Sequence, residues 1–316
     1  MEGRRGARSL GRSLPRTTLI WVGVVVVALV AVDVLLVTLA LGRTAPEQHG
    51  PAGPIPTYTS TPNPTQTPDP SATGSAGAAG AGGAASRHLI AAVDGKEAWR
   101  ASGGSCSATR PVLQRTVDGG ATWAEVDLGE DVHAVTALRA TTGTLSILAD
   151  VGDDCTQTAR TTDDDGVTWA AAERSDLGAT ISDTAVDLST GEIDSPCEEP
   201  ADAYEGRFTT LVACAPEVDW RSGTGPWVSV ALPGVKAIAD AGETYTLARL
   251  GSSMCDGVQV VSLPATQVVS GSQVSPMGCW EDGATDGPVA IALVGKTLWA
   301  WAGDEVAVSA DGGMTW

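Results

Sequence analysis

The chain has 316 residues, with 38 Asp and Glu against 19 Lys and Arg and a formal net charge of −19. From residue 87 onward there are 13 basic and 34 acidic side chains, a net charge of −21. Phosphate binding needs a basic face, so this balance argues against nucleic acid as a partner. No Gly-x-Ser-x-Gly, His-Glu-x-x-His or phosphate-loop pattern occurs, which argues against an α/β-hydrolase, a zincin metalloprotease and a phosphate-loop nucleotide-binding protein.

The first 86 residues predict an anchor and a linker. Residues 1–16 hold five arginines and one acid, and Leu19–Leu41 is almost continuously apolar. A helix of these 23 residues would span about 35 Å, enough to cross a bilayer. We therefore expect a basic cytoplasmic tail over 1–16 and a transmembrane signal anchor over 17–42, with the remainder outside. A cleaved signal peptide is the alternative, although the apolar run is long for one.

Residues 43–86 are rich first in Pro and Thr, then in Gly and Ala. Such a composition does not bury enough apolar surface to fold, so this segment is expected to be a linker. It would hold the following domain away from the membrane.

Residues 87–316 predict an all-β domain. Short apolar runs recur, bounded by Gly, Asp and Ser, at 88–93, 97–101, 132–138, 144–149, 208–214, 227–232, 244–250, 258–263, 288–294 and 297–302. Regular short strands with turn residues between them are typical of a sandwich, a barrel or a propeller.

A repeated eight-residue motif, Ser/Thr-x-Asp-x-Gly-x-Thr-Trp, decides among these folds. Its tryptophans are separated by 46 and then 147 residues, or three steps of 49, and a period in the forties suits a four-stranded propeller blade. A decayed copy ends at Trp227, and another is expected near residue 270. The three intact copies comprise Thr116, Asp118, Gly120, Thr122 and Trp123; Thr162, Asp164, Gly166, Thr168 and Trp169; and Ser309, Asp311, Gly313, Thr315 and Trp316.

The motif resembles the Asp-box, or BNR repeat, of sialidase-like β-propellers, which is also found in propellers of the photosystem-stability-factor and sorting-receptor types. The resemblance implies an Asp-box β-propeller. Dividing 230 residues by the period predicts about five blades, with Gly191–Gly206 as an acidic surface insertion. Trp316 falls inside a motif, so the strand expected after it is not in the sequence. Either the segment near His88 supplies that strand and closes the ring, or the chain is part of a larger, incomplete ring.

The motif residues themselves are expected to be structural. Asp and Thr side chains bond nearby backbone groups in tight turns, Gly permits a left-handed backbone, and Trp covers the turn with apolar surface. A catalytic or metal-binding role for the motif aspartates is the alternative. Acidic runs such as Asp163–Asp165 could hold Ca²⁺, but none has the spacing of a calcium loop, which favours a solvated acidic surface.

All six cysteines follow residue 87, which predicts three disulfides in an exported domain. Spacing suggests local pairs and one bridge between matching loops of the first two units. Zinc is the alternative, but no Cys-x-x-Cys occurs. The expected pairs are Cys106–Cys155, Cys197–Cys214 and Cys255–Cys279.

Function is predicted only in outline. The expected protein is a membrane-anchored extracytoplasmic propeller that acts without catalysis as a binding or scaffold module at the cell surface, for a glycan, peptide or protein. The alternative is an exo-sialidase-like glycoside hydrolase. Against that alternative, the Arg-Ile-Pro segment of sialidases is missing and nothing groups Arg100, Arg115 and Arg139. The adjacent Tyr204 and Glu205 are expected outside any strand, and no catalytic residue, cofactor or metal ligand is predicted.

Overall fold

The computed structural model describes residues 87–106, 109–174, 177–182 and 185–316. Within these residues all regular secondary structure other than isolated turns is β-strand. The predicted tail, membrane span and linker at 1–86 lie outside the described residues. Along the described part of the chain, no helix has the length and apolar character needed to cross a membrane.

The strands form six antiparallel sheets that follow one another along the chain as the blades of a propeller. Blade 1 contains β1 (His88–Ala92), β2 (Ala98–Ser102), β3 (Val112–Thr116) and β4 (Ala124–Val126); blade 2 contains β5 (Val132–Thr141), β6 (Thr144–Val151), β7 (Thr156–Thr162) and β8 (Ala170–Ala171); and blade 3 contains β9 (Thr180–Ile181), β10 (Ala185–Leu188) and β11 (Gly191–Asp194).

The second half of the ring repeats this order. Blade 4 contains β12 (Asp202–Glu205), β13 (Thr209–Ala213), β14 (Glu217–Ser222) and β15 (Val228–Ala231); blade 5 contains β16 (Val235–Asp240), β17 (Thr244–Arg249), β18 (Val258–Pro264) and β19 (Ser275–Trp280); and blade 6 contains β20 (Val289–Val294), β21 (Thr297–Ala302) and β22 (Glu305–Ser309).

The all-β propeller prediction is confirmed, and the prediction of five blades is wrong. The physical reason is blade 3, whose three short strands lack the motif, so two blades occupy the 58 residues between Trp169 and Trp227. The predicted insertion at Gly191–Gly206 is likewise not a loop throughout. It contains β11, the last strand of blade 3, and β12, the first strand of blade 4.

The ring closes by packing between its first and last blades. Ile90 and Ala92 of β1 share an apolar cluster with Ala290, Trp299 and Trp301 of blade 6. β1 pairs with β2, so the segment at His88 does not supply a fourth strand to blade 6. Similar clusters fill the seams between other neighbouring blades, and burial of this apolar surface is the main force that holds a ring of sheets together.

The predicted disulfide pairing is confirmed for all three bridges. Cys106, Cys155, Cys214 and Cys255 each lie in the connection between the second and third strands of a blade. In an antiparallel blade these connections lie at the end opposite the turn between the third and fourth strands. The bridges therefore reinforce the face opposite the repeated motif, and their presence indicates an oxidising compartment.

Candidate functional site

Each intact motif forms a turn after the third strand of its blade, with the aspartate at its centre. Thr116 Oγ1 donates to Asp118 Oδ1 at 2.8 Å, and the N–H and Oγ1 of Thr122 donate to Asp118 Oδ1 and Oδ2 at 2.9 and 2.6 Å. Gly120 N–H donates back to Thr116 Oγ1 at 3.0 Å. Both carboxylate oxygens thus have donors from the same turn. The bonds recur at Asp164 and Asp311 with distances of 2.7–2.9 Å.

These bonds favour the ionised carboxylate. The hydroxyl and N–H of Thr122 lower the pKa of Asp118 to about 2, and the N–H of Thr315 together with the hydroxyls of Ser309 and Thr315 lowers the pKa of Asp311 to about 2. The pKa of Asp164 is lowered for the same reason, first by the Thr168 hydroxyl. A permanently ionised carboxylate whose oxygens are occupied is suited to holding a turn and poorly suited to proton transfer.

The motif glycine sits against the preceding blade, which the sequence alone did not indicate. A Cβ on Gly166 would lie 2.2 Å from Val126 Cγ1 of blade 1, and one on Gly313 would lie 2.7 Å from Leu298 Cδ2 of its own blade and 3.1 Å from Val260 Cγ1 of blade 5. Both glycines have a positive φ, +88° and +95°. The position therefore requires glycine for its backbone and for the close contact between blades.

The motif tryptophan also reaches the preceding blade. Trp123 packs edge-on against Trp299 of blade 6, with ring centroids 6.3 Å apart, and Trp316 stacks on Trp280 of blade 5 at 5.6 Å. Trp169 Nε1 donates to the Asp127 carbonyl, which follows β4 of blade 1, at 3.1 Å. All three rings are only half-buried, so they cover seams between blades and do not fill a core.

The three arginines considered for a sialidase-like triad lie in three different places. Arg100 stacks on the rings of Trp123 and Trp301, 4.3 and 4.9 Å from their centroids. Arg115 pairs with Glu97 at 2.8 Å and with Asp165 of the blade 2 motif at 2.7 Å. Arg139 lies on β5, the first strand of blade 2. Arg100 and Arg115 thus form contacts between neighbouring blades, and the structure does not bring the three arginines together.

A tyrosine–carboxylate pair joins the first strands of blades 4 and 5. Tyr204 Oη donates to Asp240 Oδ2 at 2.6 Å, and the Tyr204 ring meets the Tyr245 ring edge-on at 5.6 Å. Burial and the bond to Asp240 raise the pKa of Tyr204, so the phenol stays protonated at neutral pH. The expectation that Tyr204 and Glu205 lie outside a strand is wrong, because both belong to β12. Tyr204 uses Asp240 as its partner, while Glu205 accepts from the backbone and hydroxyl of Ser189.

An ion pair connects the first strands of opposite blades. Arg87, immediately before β1, lies 3.7 Å from the carboxylate of Asp202 in β12 of blade 4. Asp202 also accepts from the N–H groups of Ile238 and Ala203, at 2.8 and 2.9 Å. Burial raises the pKa of Asp202 although Arg87 opposes the shift. Arg87 and Asp202 thus have their charge and hydrogen-bonding partners within the protein, which indicates a structural role for this ion pair.

A cleft opens beside the decayed motif of blade 4. It has a volume of about 420 Å³ and is lined by Trp227 and Arg221 of blade 4 and by Glu192, Ile193 and Asp194 of β11 in blade 3. The Arg221 guanidinium lies 4.6 Å from the centre of the Trp227 ring. Buried Arg221 Nε has no hydrogen-bond acceptor within the described part of the chain. Sequence reasoning missed this cleft, although the shortened motif at Trp227 was its signal.

Metal-ligating side chains are dispersed. Within the described ranges, no three His, Cys, Asp or Glu side chains are arranged so that they could hold a metal ion. Of the three acids at Asp163–Asp165 that suggested calcium in the sequence, Asp164 holds the motif turn and Asp165 pairs with Arg115.

Comparisons with known proteins give a similarity of fold. No family model matches the chain, and no curated protein matches it. Solved structures similar to it include the GH74 enzyme of Niastella koreensis (TM-score 0.41, 11% identity, covering 71% of this chain and 45% of that one). Another is YCF48 bound to D1 peptide (TM-score 0.27, 14% identity, covering 72% of this chain and 64% of that one). A third is the Trypanosoma rangeli sialidase in complex with the inhibitor DANA (TM-score 0.37, 12% identity, covering 69% of this chain and 52% of that one). The chain spans less than half the length of the first, and the set includes enzymes beside a peptide-bound protein.

Proposed function

We propose that the repeated motif is an Asp-box and that its role in this protein is to fasten each blade that carries it to the blade before it. The hydrogen bonds within each turn support this role, since they consume the polar atoms that a ligand would otherwise engage. The contacts of Gly166 with Val126 and of Trp169 with the Asp127 carbonyl support it further. Recognition is therefore expected elsewhere on the propeller.

We further propose that the protein is a non-catalytic binding or scaffold module at the cell surface. The observation that carries this proposal is the commitment of the candidate catalytic side chains to structural partners. Arg115 bridges Glu97 and Asp165 between blades, and Tyr204 is held by Asp240 with a raised pKa. A hydrolase that works through a covalent intermediate needs an activated nucleophile at the bond to be cleaved, whereas these groups are fixed as contacts between blades.

The location proposed for this module is extracytoplasmic, on a single-pass anchor at residues 17–42 with the N-terminus in the cytoplasm. The three disulfides support an oxidising compartment, and the arginines of residues 1–16 support the orientation. Protease added to intact cells should digest the propeller while leaving a short membrane-protected stub. Full protection of the propeller in cells that export normally would overturn the orientation.

Two assays on the full-length protein test the binding proposal together. One is a screen against glycans, cell-wall fragments and surface proteins, in which saturable binding is expected. The other is release of sialic acid from a fluorogenic substrate, which is expected to stay at the uncatalysed rate. Turnover well above that rate, or no binding to any member of the screen, would contradict the proposal.

A sialidase-like hydrolase is the second candidate, and one contact favours it. The 2.6 Å bond from Tyr204 to Asp240 has the geometry of a tyrosine nucleophile beside a carboxylate base. Arg139 lies near enough to act on the Tyr204 pKa, whereas Arg100 and Arg115 are placed elsewhere. If the substrate is cleaved and Tyr204→Phe abolishes cleavage while the melting temperature is kept, this candidate replaces the first.

A further inference from the structure

The contact between blades 6 and 1 differs from the other contacts around the ring because no covalent link crosses it. Every other pair of neighbouring blades is joined by the chain that runs from one blade into the next, whereas blades 6 and 1 are the last and first sheets and meet through side chains. None of the three disulfides joins them. This contact, here called the closing seam, can therefore open while every covalent bond stays intact. Its buried members are Ile90, Ala92, Ala98, Ala290, Trp299 and Trp301.

A histidine at the start of β1 stacks on one tryptophan of the closing seam. The His88 imidazole lies against the Trp301 indole of β21, with ring centroids 3.6 Å apart and an angle of 6° between the ring planes. The Arg100 guanidinium lies over the same indole at 4.9 Å and over the Trp123 ring at 4.3 Å. One cation is thus already placed on the ring against which His88 packs.

The closed seam favours the neutral form of His88. Burial lowers the pKa of His88 from 6.5 to about 4, and a hydrogen bond with the Trp301 backbone opposes the shift. Among the charged groups near it, Arg100 of β2 lowers this pKa and Asp304, in the turn after β21, raises it. His88 Nδ1 is buried without a partner among the described residues, so a proton added there would find no acceptor.

We propose that the closing seam is a pH-sensitive contact that opens in mild acid when His88 takes up a proton. An open seam exposes the imidazole to water, where it regains its ordinary affinity for protons. The open form therefore binds a proton that the closed form rejects, and acid shifts the equilibrium toward the open form. This inference goes beyond the proposed binding role and does not depend on it.

The direction of the shift sets the pH range. Because the pKa of His88 is lowered in the closed form, neutral His88 stabilises closure fully above about pH 6.5, and this contribution is lost as the pH falls toward 4. Between pH 7.5 and pH 5 the equilibrium constant for opening should rise about 25-fold. The ion pair of Arg87 with Asp202 adjoins His88 along the chain and also contains a titratable carboxylate, so the experiment separates the two.

The accessibility of an introduced thiol measures the opening. Ala98→Cys places a thiol in the closing seam, and Ala300→Cys places one between blades 5 and 6, at positions that are both 0% exposed. Native cysteines do not compete, since all six are in disulfides. Each full-length variant is labelled with 4,4′-dithiodipyridine, and the ratio of the two rates cancels the pH dependence of the reagent. The rate at Ala98→Cys relative to that at Ala300→Cys should rise about 25-fold between pH 7.5 and pH 5.

Substitutions in both labelled backgrounds assign the pH response to one residue. His88→Phe keeps an aromatic ring that cannot take up a proton, and His88→Gln removes both the ring and the titration. The ratio should be independent of pH in each. His133→Gln removes the other histidine of the described residues, and Asp202→Asn removes the carboxylate that pairs with Arg87. Both of these variants should keep the rise in acid.

The outcomes decide between His88 and the neighbouring groups. A ratio that stays constant from pH 7.5 to pH 5 without further substitution would overturn the proposal. A rise that persists in the His88 variants and disappears with Asp202→Asn would overturn it too and assign the response to the ion pair. Two His88 variants are used so that a folding defect in one, detected by circular dichroism, leaves the other to decide.

Discussion

Trp169 Nε1 donates to the backbone carbonyl of Asp127 at 3.1 Å, and this bond fastens the motif turn of the second blade to the outer edge of the first. The donor and acceptor are 42 residues apart, so the motif stabilises a contact between blades as well as a local turn. Its removal can be tested in two steps.

Trp169→Phe should keep most of the apolar contact and lose the hydrogen bond, at a cost of about 1 kcal/mol in the free energy of unfolding. Trp169→Ala should lose both, at a cost of about 2 kcal/mol, because the ring is half-exposed and a fully buried aromatic costs about 3–5 kcal/mol. Chemical denaturation measures both. Equal effects of the two substitutions would show that the ring's apolar surface contributes nothing to the seam.

Gly166→Ala should destabilise the protein through a clash as well as through its backbone. A Cβ there would lie 2.2 Å from Val126 Cγ1, and φ is +88°. Gly152→Ala is the matched control, since its φ is +69° and no atom lies within 4 Å of the added Cβ. The control should cost about 1–2 kcal/mol from backbone strain alone, and Gly166→Ala clearly more. Adding Val126→Ala to Gly166→Ala should recover part of the difference, and similar costs for the two single variants would refute the clash.

Acid should weaken the motif turns over a defined range. The hydroxyl and N–H of Thr122 lower the pKa of Asp118 to about 2 from an ordinary value of 3.8, so the folded state favours the ionised form. The stabilisation of the folded state by ionised Asp118 is present in full above about pH 4, and it is lost as the pH falls from about 4 toward 2. The melting temperature of Asp118→Asn should therefore lie below that of the wild type at pH 6, with the gap closing toward pH 2. A gap that is constant between pH 6 and 2 would remove Asp118 ionisation from the explanation.

The disulfides should differ in importance according to the loops they close. The bridges Cys106–Cys155, Cys255–Cys279 and Cys197–Cys214 span 49, 24 and 17 residues. Loop-closure entropy predicts losses of about 4 kcal/mol for the longest and about 3 kcal/mol for the shortest when both cysteines become serine. Denaturant melts of the three double variants measure the order. A smaller loss for the bridge between blades 1 and 2 than for the shortest bridge would contradict the entropic account.

The sequence specified the fold type because its signals were local. Each motif places its donors within four residues of its aspartate, and the ten predicted strands all overlap observed ones. The number of blades could not be predicted from these local patterns. Blade 3 has short strands and no motif, so its boundary with blade 4 at Gly191–Gly206 had the composition of a loop.

The candidate sites depend on contacts that span the seams, which no local pattern encodes. The partner of Tyr204 is Asp240, 36 residues away on the next blade, and not the neighbouring Glu205. The cleft at Trp227 similarly depends on β11 of another blade. The shortened motif that ends at Trp227 was visible in the sequence, but its effect on the contact between blades 3 and 4 was not.

Incubation of the full-length protein with sialyllactose and with the glycans and cell-wall fragments of the binding screen, followed by chromatography of the recovered sugars, tests the central claim of non-catalytic binding most directly. This claim predicts saturable binding of at least one member of the screen, with every sugar recovered uncleaved after prolonged incubation. Time-dependent cleavage products that Tyr204→Phe eliminates would contradict it and would make the propeller an enzyme.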